Sequence, residues 1–254
     1  MILAIDMGNT NIVIGGIDST QTYFVERVTT DHIKTGLEYA VNIKNILEIH
    51  NIDKSQVEGA IMSSVVPPLN APISSAVNKL FGFRPKLVGS GMKTGLNIIM
   101  DNPKTVGSDM IVDAVAVAKE YPLPAIVIDM GTATTMSVVD KKGNYIGGVI
   151  FPGLRVSLDS LSSKAAQLPS ISLDIPKKVV GKNTIDCMRS GIMYGSAGMI
   201  DGIIDRMEAE LGEKTTVVAT GGLSRFLVPL CRHKIFYDEA LLMKGLWILY
   251  EKNQ

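Results

Sequence analysis

Two aspartates, Asp6 and Asp129, each end an apolar run and each is followed by Met-Gly and then small polar residues: ILAIDMGNTNIVIGG over 2–16 and AIVIDMGTATTMSVV over 125–139. They lie about half the chain apart. β-Branched residues on both sides of each turn read as strand, tight glycine turn, strand. The small turn residues let backbone N–H groups point into one cavity, a nest of the kind that binds phosphate oxygens. A carboxylate at a strand end can hold a cation or its waters. Two such nests facing each other across a cleft are therefore expected to form a nucleotide site, with amides on the phosphates and carboxylates on the cation. One Asp-x-Gly turn alone is a common strand ending. The second copy, together with Thr220-Gly221-Gly222 after a third apolar strand, turns it into a specific expectation, because the TGG turn lets a ribose or adenine approach the backbone.

The rest of the composition points the same way. With 25 basic and 25 acidic residues the chain has no electrostatic footprint for nucleic acid, so a small-molecule partner is expected. At 254 residues there is room for two domains, and no run approaches the roughly 18 to 20 apolar residues of a membrane span. The N-terminal MILAIDMGN has only a short apolar run with no basic region before it, and reads as a buried strand rather than a signal peptide. Cys187 and Cys231 lack CxxC spacing and are expected to be buried thiols in a reducing, cytoplasmic compartment. His32, His50 and His233 show no metal-ligand spacing. Trp247 sits among Leu241, Leu242, Leu246 and Leu249, a packing stripe for the core or for a dimer.

To position the two loops, the pattern predicts a strand meander with a turn near Asp18-Ser19-Thr20, then a helix from Gly36 to His50 on Leu37, Val41, Ile46 and Leu47. A buried strand over 57–66 is stopped by Pro67-Pro68. A helix near Asn70 to Phe81 and a short strand around Pro85 to Val88 complete the first half. The second half repeats the order: a hairpin turning at Gly143-Asn144, helices near 153–164 and 184–211, the strand TTVVAT, and a last helix from Asp238 to about Tyr250. The joint falls at EYPLP, residues 120–124. An α/β chain of two mixed-sheet domains is expected, one over 1–119 with the first loop and Asp109, the other over 120–254 with the second loop and the TGG turn.

Nine blocks make a specific resemblance. DMGNTN (6–11), SSVVPP (63–68), KTGLNI (93–98), NP (102–103) with VGSD (106–109), DMGTATT (129–135), GGVIFPG (147–153), VVGKNT (179–184), SGIMYG (190–195) and ATGG (219–222) occur in the order seen in type III pantothenate kinases, which the chain resembles from residue 1 to about 250. The resemblance implies two ribonuclease-H-like domains of the actin-like ATPase kind, each a mixed β-sheet flanked by helices. It implies a homodimer with substrate sites at its interface, ATP with Mg2+, and K+ or NH4+. The implied reaction is phosphorylation of pantothenate to 4′-phosphopantothenate, the first step of coenzyme A synthesis, without inhibition by coenzyme A. By position, Asp109 resembles the general base. Asp6, Met7, Gly8, Asn9, Thr10, Asn11, Ile12 and Val13 resemble the segment around the ATP phosphates, Asp6 acting through magnesium, and Thr132 resembles a further ATP contact. Asp129 resembles the monovalent-cation ligand. Met100, Gly107, Ser108, Asp109 and Met110 fall in the substrate pocket, and Thr184 matches the threonine that reaches pantothenate from the neighbouring subunit. Without the resemblance, Asp109 and Thr184 would read as helix-capping residues. A sugar kinase or polyphosphate phosphatase on the same fold would explain the two loops but neither VGSD nor VVGKNT.

Three positions depart from the pattern. The Gly-x-Asp-Arg motif reads Gly107, Ser108, Asp109, Met110; a tyrosine two positions before Asn102 is replaced by Met100; and an asparagine four residues after the base, on the same helix face, is Asp113. The corner loses a positive charge and gains a negative one. A lost charge-assisted hydrogen bond costs about 1.5–3 kcal/mol, roughly 10- to 150-fold in affinity, and Asp113 is expected to raise the pKa of Asp109 as a like charge. Other readings stay open: a kinase of an alcohol lacking the carboxylate, such as pantetheine; a weak or silent nucleotide-binding regulator; or methionines that fill apolar gaps while Arg155 or Lys104 meets the carboxylate.

Overall fold

A computed structural model describes all 254 residues. In chain order the elements are β1 (Ile2–Met7), β2 (Asn11–Ile17), β3 (Thr22–Thr29), α1 (Gly36–Ile49), β4 (Gly59–Ser64), α2 (Asn70–Phe81), β5 (Lys86–Leu87), β6 (Asn97–Ile98), α3 (Ser108–Glu120), β7 (Ala125–Met130), β8 (Ala133–Val139), β9 (Asn144–Pro152), α4 (Leu154–Lys164), α5 (Thr184–Leu211), β10 (Thr216–Thr220), α6 (Ser224–Leu227), β11 (Ile235–Tyr237) and α7 (Leu241–Lys252). They form two compact units, one of Met1–Gly95, Asp101–Ala116 and Ala240–Gln254, the other of Leu96–Met100 and Val117–Glu239.

The first unit holds a five-stranded mixed sheet in the order β3-β2-β1-β4-β5. Its strand β1 runs antiparallel to β2 and parallel to β4. Alternation places Leu3, Ile5 and Met7 in one core with Ile12, Ile14, Ile43 and Ile73, while Ile2 and Ala4 are just as buried on the other face, where α7 packs against β1, β2 and β4. A side chain at Gly59 would run into the Tyr250 hydroxyl, so the missing Cβ is what lets α7 lie this close. Sequence order put this helix at the end of the second half; in the structure it completes the first unit. It also begins three residues later than expected, because Asp238 continues the path of β11: its N–H donates to the Ala219 carbonyl (2.9 Å) and its buried carboxylate accepts the Tyr121 hydroxyl (2.8 Å).

Helix α1 starts at a complete capping box between Thr35 and Glu38. Its buried stripe is Tyr39, Ala40, Ile43, Ile46 and Leu47, whereas Leu37 and Val41 are exposed. The face expected from Leu37 and Val41 is thus turned by about half a turn. Tyr39 takes the inner position because its hydroxyl donates to the Asp31 carbonyl (2.7 Å), satisfying the polar tip of a fully buried ring.

The second unit repeats the motif in a six-stranded sheet, β11-β10-β7-β8-β9-β6. Ile126, Ile128 and Met130 occupy the places of Leu3, Ile5 and Met7 and pack against Met193, Ala197, Ile200 and Ile204 of α5. The 28-residue α5 is capped by Asn183, whose Oδ1 accepts the Asp186 N–H (2.9 Å), and ends at Gly212 in the left-handed conformation. Two of its buried acids fasten loops: Asp201 accepts the backbone N–H groups of Arg232 and His233, and Glu208 accepts Lys214 and Thr215. No helix is long and apolar enough to cross a membrane. The cysteine expectation needs correction at one position: Cys231 is half-buried, its thiol pushed up to about 12 by burial and the nearby Asp201 carboxylate, but Cys187, in the first turn of α5, is exposed.

Candidate active site

The two phosphate-type loops are built by equivalent hairpins. In the first, β1 and β2 pair through Asp6↔Val13 and Met7↔Ile12, leaving residues 8–11 as the turn. The Gly8 N–H closes it onto the Asn11 carbonyl (3.0 Å). Asn9, Thr10 and Asn11 are exposed, while Asp6 is half-buried at the strand end and Ile12 is in the core. The turn is braced from outside by Thr30, just past β3: its hydroxyl donates to the Gly8 carbonyl (2.6 Å) and its N–H to the Thr10 carbonyl (3.0 Å).

In the second, β7 and β8 pair through Asp129↔Thr135 and Met130↔Thr134, leaving only 131–133. The Gly131 N–H donates to the Ala133 carbonyl (3.0 Å), and the Gly153 N–H, at the end of β9, donates to the Thr132 carbonyl (3.0 Å). Two backbones press on this loop. A Cβ on Gly153 would stand 2.4 Å from the Gly131 carbonyl oxygen, and one on Gly221, whose φ is +92°, would stand 2.7 Å from Oδ1 of Asp129 and 2.7 Å from the Met130 carbonyl oxygen. The structure therefore gathers Asp129, Thr132, Gly153 and the TGG turn into one constellation. Gly153 had been given no role from the sequence, although its block GGVIFPG was part of the resemblance.

Asp109 is the second residue of α3, where the helix dipole favours a carboxylate. Its Oδ1 accepts the Met110 N–H at 2.8 Å and lies close over Gly107, where an added Cβ would have to displace that oxygen. Burial pushes the Asp109 carboxyl above its ordinary value of 3.8, while backbone hydrogen bonds from Met110 and from its own N–H pull it part of the way back. The rise therefore has a different origin from the like charge expected at Asp113, which is itself buried. A desolvated carboxylate is a stronger proton acceptor than one in water.

The remaining expected positions are placed as follows. The Ser108 hydroxyl is turned towards β4, where it meets Ser63 and Ser64. Met110 is half-buried. Met100, partly exposed, lies with its sulfur 3.5 Å from where a Cβ on Gly147 would be, so it covers a gap over β9. Thr184 opens α5 on an exposed turn, and because Asn183 supplies the cap, the threonine hydroxyl is not needed for it.

The donor set also bears on a metal. No group of three or more His, Cys, Asp or Glu side chains is assembled into a self-sufficient cage. Single carboxylates at strand ends beside phosphate-type turns are the arrangement suited to magnesium, which is commonly held by one or two carboxylates together with substrate phosphates. At the second loop the Asp129 carboxylate and the Met130 carbonyl both face Gly221, so two kinds of oxygen donor are gathered there.

The sequence profile of type III pantothenate kinase matches residues 2–206. A type III pantothenate kinase of Exiguobacterium sp. is 46% identical over 254 residues, covering 100% of both chains. One from Moorella thermoacetica is 43% identical over 253 residues, again covering 100% of both. Among solved structures, a ROK hexokinase from Thermus thermophilus superposes with a TM-score of 0.54 at 12% identity, covering 99% of this chain and 98% of that one, a likeness of fold: two ribonuclease-H-like, actin-type domains.

Proposed function

The chain belongs to the type III pantothenate kinase family, and from that premise we propose which of its residues carry the ATP-dependent phosphorylation of pantothenate that this family contributes to coenzyme A biosynthesis. The observation that carries the assignment is Asp109: a half-buried carboxylate in the first turn of α3, with its basicity raised by burial, inside the VGSD block of a chain alignable end to end with named pantothenate kinases. Asp109 accepts the proton of the pantothenate primary hydroxyl as its oxygen bonds to the γ-phosphorus and the bond to the β-phosphate oxygen breaks, leaving ADP. Such a base can be weak, because phosphoryl transfer depends mostly on positioning and charge neutralisation. The exposed turn between Asp6 and Val13 takes phosphate oxygens through backbone amides other than that of Gly8, which closes the turn, and Asp6 would hold magnesium, which would neutralise phosphate charge when bound. In the other unit, Asp129 serves a K+ or NH4+ ion, Thr132 meets ATP, and the TGG turn takes the adenosine.

Gly107, Ser108, Asp109 and Met110 form one wall of the substrate pocket, the serine through its backbone, and Met100 contributes apolar surface. Thr184 acts on the substrate of a partner subunit in a homodimer. Supporting the dimer are exposed apolar residues in the second unit, Ile150, Val179, Val180, Ile185 and Met199; the 179–181 segment is fastened to α5 by the bond from the Ser190 hydroxyl to the Val179 carbonyl. The cytoplasm is the compartment that supplies ATP and free thiols. No observation favours the silent-regulator or pantetheine alternatives.

The test is mass-spectrometric detection of phosphorylated product from purified protein with ATP, magnesium and potassium or ammonium, pantothenate and pantetheine being offered in parallel. Product from pantothenate that disappears in Asp109→Asn is expected; undiminished product in that variant would remove Asp109 as the base. The pH dependence has a definite sign. The base acts as a carboxylate and its folded-state pKa lies above 3.8, so kcat should fall as pH drops through that raised value. Because the charged form is disfavoured by folding, Asp109→Asn should be at least as stable as the parent at neutral pH.

A further inference from the structure

We propose that Ser108 and Ser63 are positioning residues for the Asp109 base, a pair of hydroxyls that ties the start of α3 to the strand beside the first phosphate loop; the inference rests on Asp109 being the base. A serine hydroxyl has one proton to give and two lone pairs to receive, and at Ser108 all three are used. Its Oγ accepts the Ser64 N–H (2.9 Å) and lies 3.0 Å from the Ser64 carbonyl, to which it donates. That leaves one lone pair, so the contact at 2.9 Å between the two Oγ atoms must have Ser63 as the donor. Ser63 is fully buried, where an unpaired hydroxyl is unfavourable, so the bond satisfies both residues. The Ser108 hydroxyl has no capacity left for a substrate.

What the pair connects is the reason to assign it a role. In the parallel β1–β4 ladder Ser63 stands opposite Asp6 and Ser64 opposite Met7, the two residues that lead into the first loop. The Val65 N–H continues the ladder onto the Met7 carbonyl (3.0 Å). On the other side Ser108 is immediately followed by Asp109, whose carboxylate is held by the next N–H along. Asp109 and Asp6 are thus linked by one covalent step, one hydroxyl pair and one rung of a sheet. These bonds of the Ser108 hydroxyl tie the first turn of α3 to β4. Losing them would free the helix start to shift, and a misplacement of about 1 Å at a reacting group can reduce turnover about 100-fold.

The experiment measures kcat and both KM values for Ser108→Ala, Ser108→Thr, Ser63→Ala and Asp109→Asn, with thermal unfolding as a check on folding. Expected for Ser108→Ala is a kcat lower by about 10- to 100-fold with the KM for ATP unchanged, and recovery of most of the loss in Ser108→Thr, which keeps the hydroxyl. Ser63→Ala, which removes only the donor, should show a smaller fall in the same direction. Wild-type kcat in a folded Ser108→Ala overturns the proposal. So does an increase confined to the KM for pantothenate, which would make Ser108 a direct substrate contact. If Ser108→Ala does not fold, Ser63→Ala decides, and unchanged kcat there counts against the pair. Activity surviving in Asp109→Asn would instead remove the base assignment itself; an inactive Asp109→Asn beside fully active serine variants removes only the positioning role.

Discussion

The two Asp-Met-Gly loops share a hairpin frame and differ in what surrounds the turn. The first has four residues between its last paired positions, 8–11, and the second three, 131–133. The first is held by a side chain, the Thr30 hydroxyl on the Gly8 carbonyl, and exposes three consecutive turn residues. The second is pressed by two backbones, with Gly153 and Gly221 packed so closely that neither has room for a Cβ. A wider, exposed turn suits a string of phosphates that must enter and leave each cycle. A turn clamped by glycines suits carbonyl and carboxylate oxygens that hold one geometry around an ion. On the proposed assignment the same sequence word serves two tasks, set apart by its neighbours, as expected when function resides in the site rather than the fold.

The largest effect that could break this contrast is structural. Gly221→Ala forces a side chain onto a residue with φ of +92° and into the Met130 carbonyl and the Asp129 carboxylate; a loss of about 2–4 kcal/mol is expected. Gly8→Ala meets only the Asn11 carbonyl, at 3.0 Å, and should lose about 1 kcal/mol or less. Denaturation of both variants checks this, and equal losses would mean that the second loop is no more tightly clamped than the first. Next come the carboxylates. Asp6→Asn should raise the KM for ATP by about 10- to 100-fold, the worth of a charged interaction, with the response to potassium or ammonium retained. Asp129→Asn should flatten the dependence on the monovalent cation and shift the KM for ATP less. Steady-state kinetics over a cation titration separates them; the same profile for both variants would erase the proposed division of labour.

How much of this was legible beforehand depended on whether the signal was local. The loops, their flanking strands, α2 and the full length of α5 could be read because each carries its own periodicity and its own stop, such as Pro67-Pro68 or Gly212. Misreadings arose where a distant partner decides. Tyr39 displaced Leu37 and Val41 from the inner face of α1 because the Asp31 carbonyl was available to its hydroxyl. Helix α7 started late because Asp238 was claimed by Tyr121, far away in sequence. The strands β6 and β11, of two and three residues, are too short to show a period. At the candidate site, Asp109 was singled out from its block, but the cause of its raised basicity was not legible, since burial is a property of the packed helix. Gly153 and the bonded pair Ser63 and Ser108 were visible as letters in motifs, while their work depends on register: it is the β1–β4 ladder that sets Ser63 opposite Asp6.

The smallest effect sharpens the comparison most, because it touches one loop alone. Thr30→Val keeps shape and β-branching and leaves the backbone bond from residue 30 to the Thr10 carbonyl in place, removing only the hydroxyl that donates to the Gly8 carbonyl. One hydrogen bond of this kind is worth about 1 kcal/mol, so the KM for ATP should rise about fivefold while the cation dependence and the KM for pantothenate stay as they were. At the second loop the Gly153 N–H donates to the Thr132 carbonyl, a backbone bond that the Thr30 substitution leaves untouched. If Thr30→Val altered the cation response and left the KM for ATP alone, the two loops would have exchanged roles, and the wider turn would have to be read as the ion site.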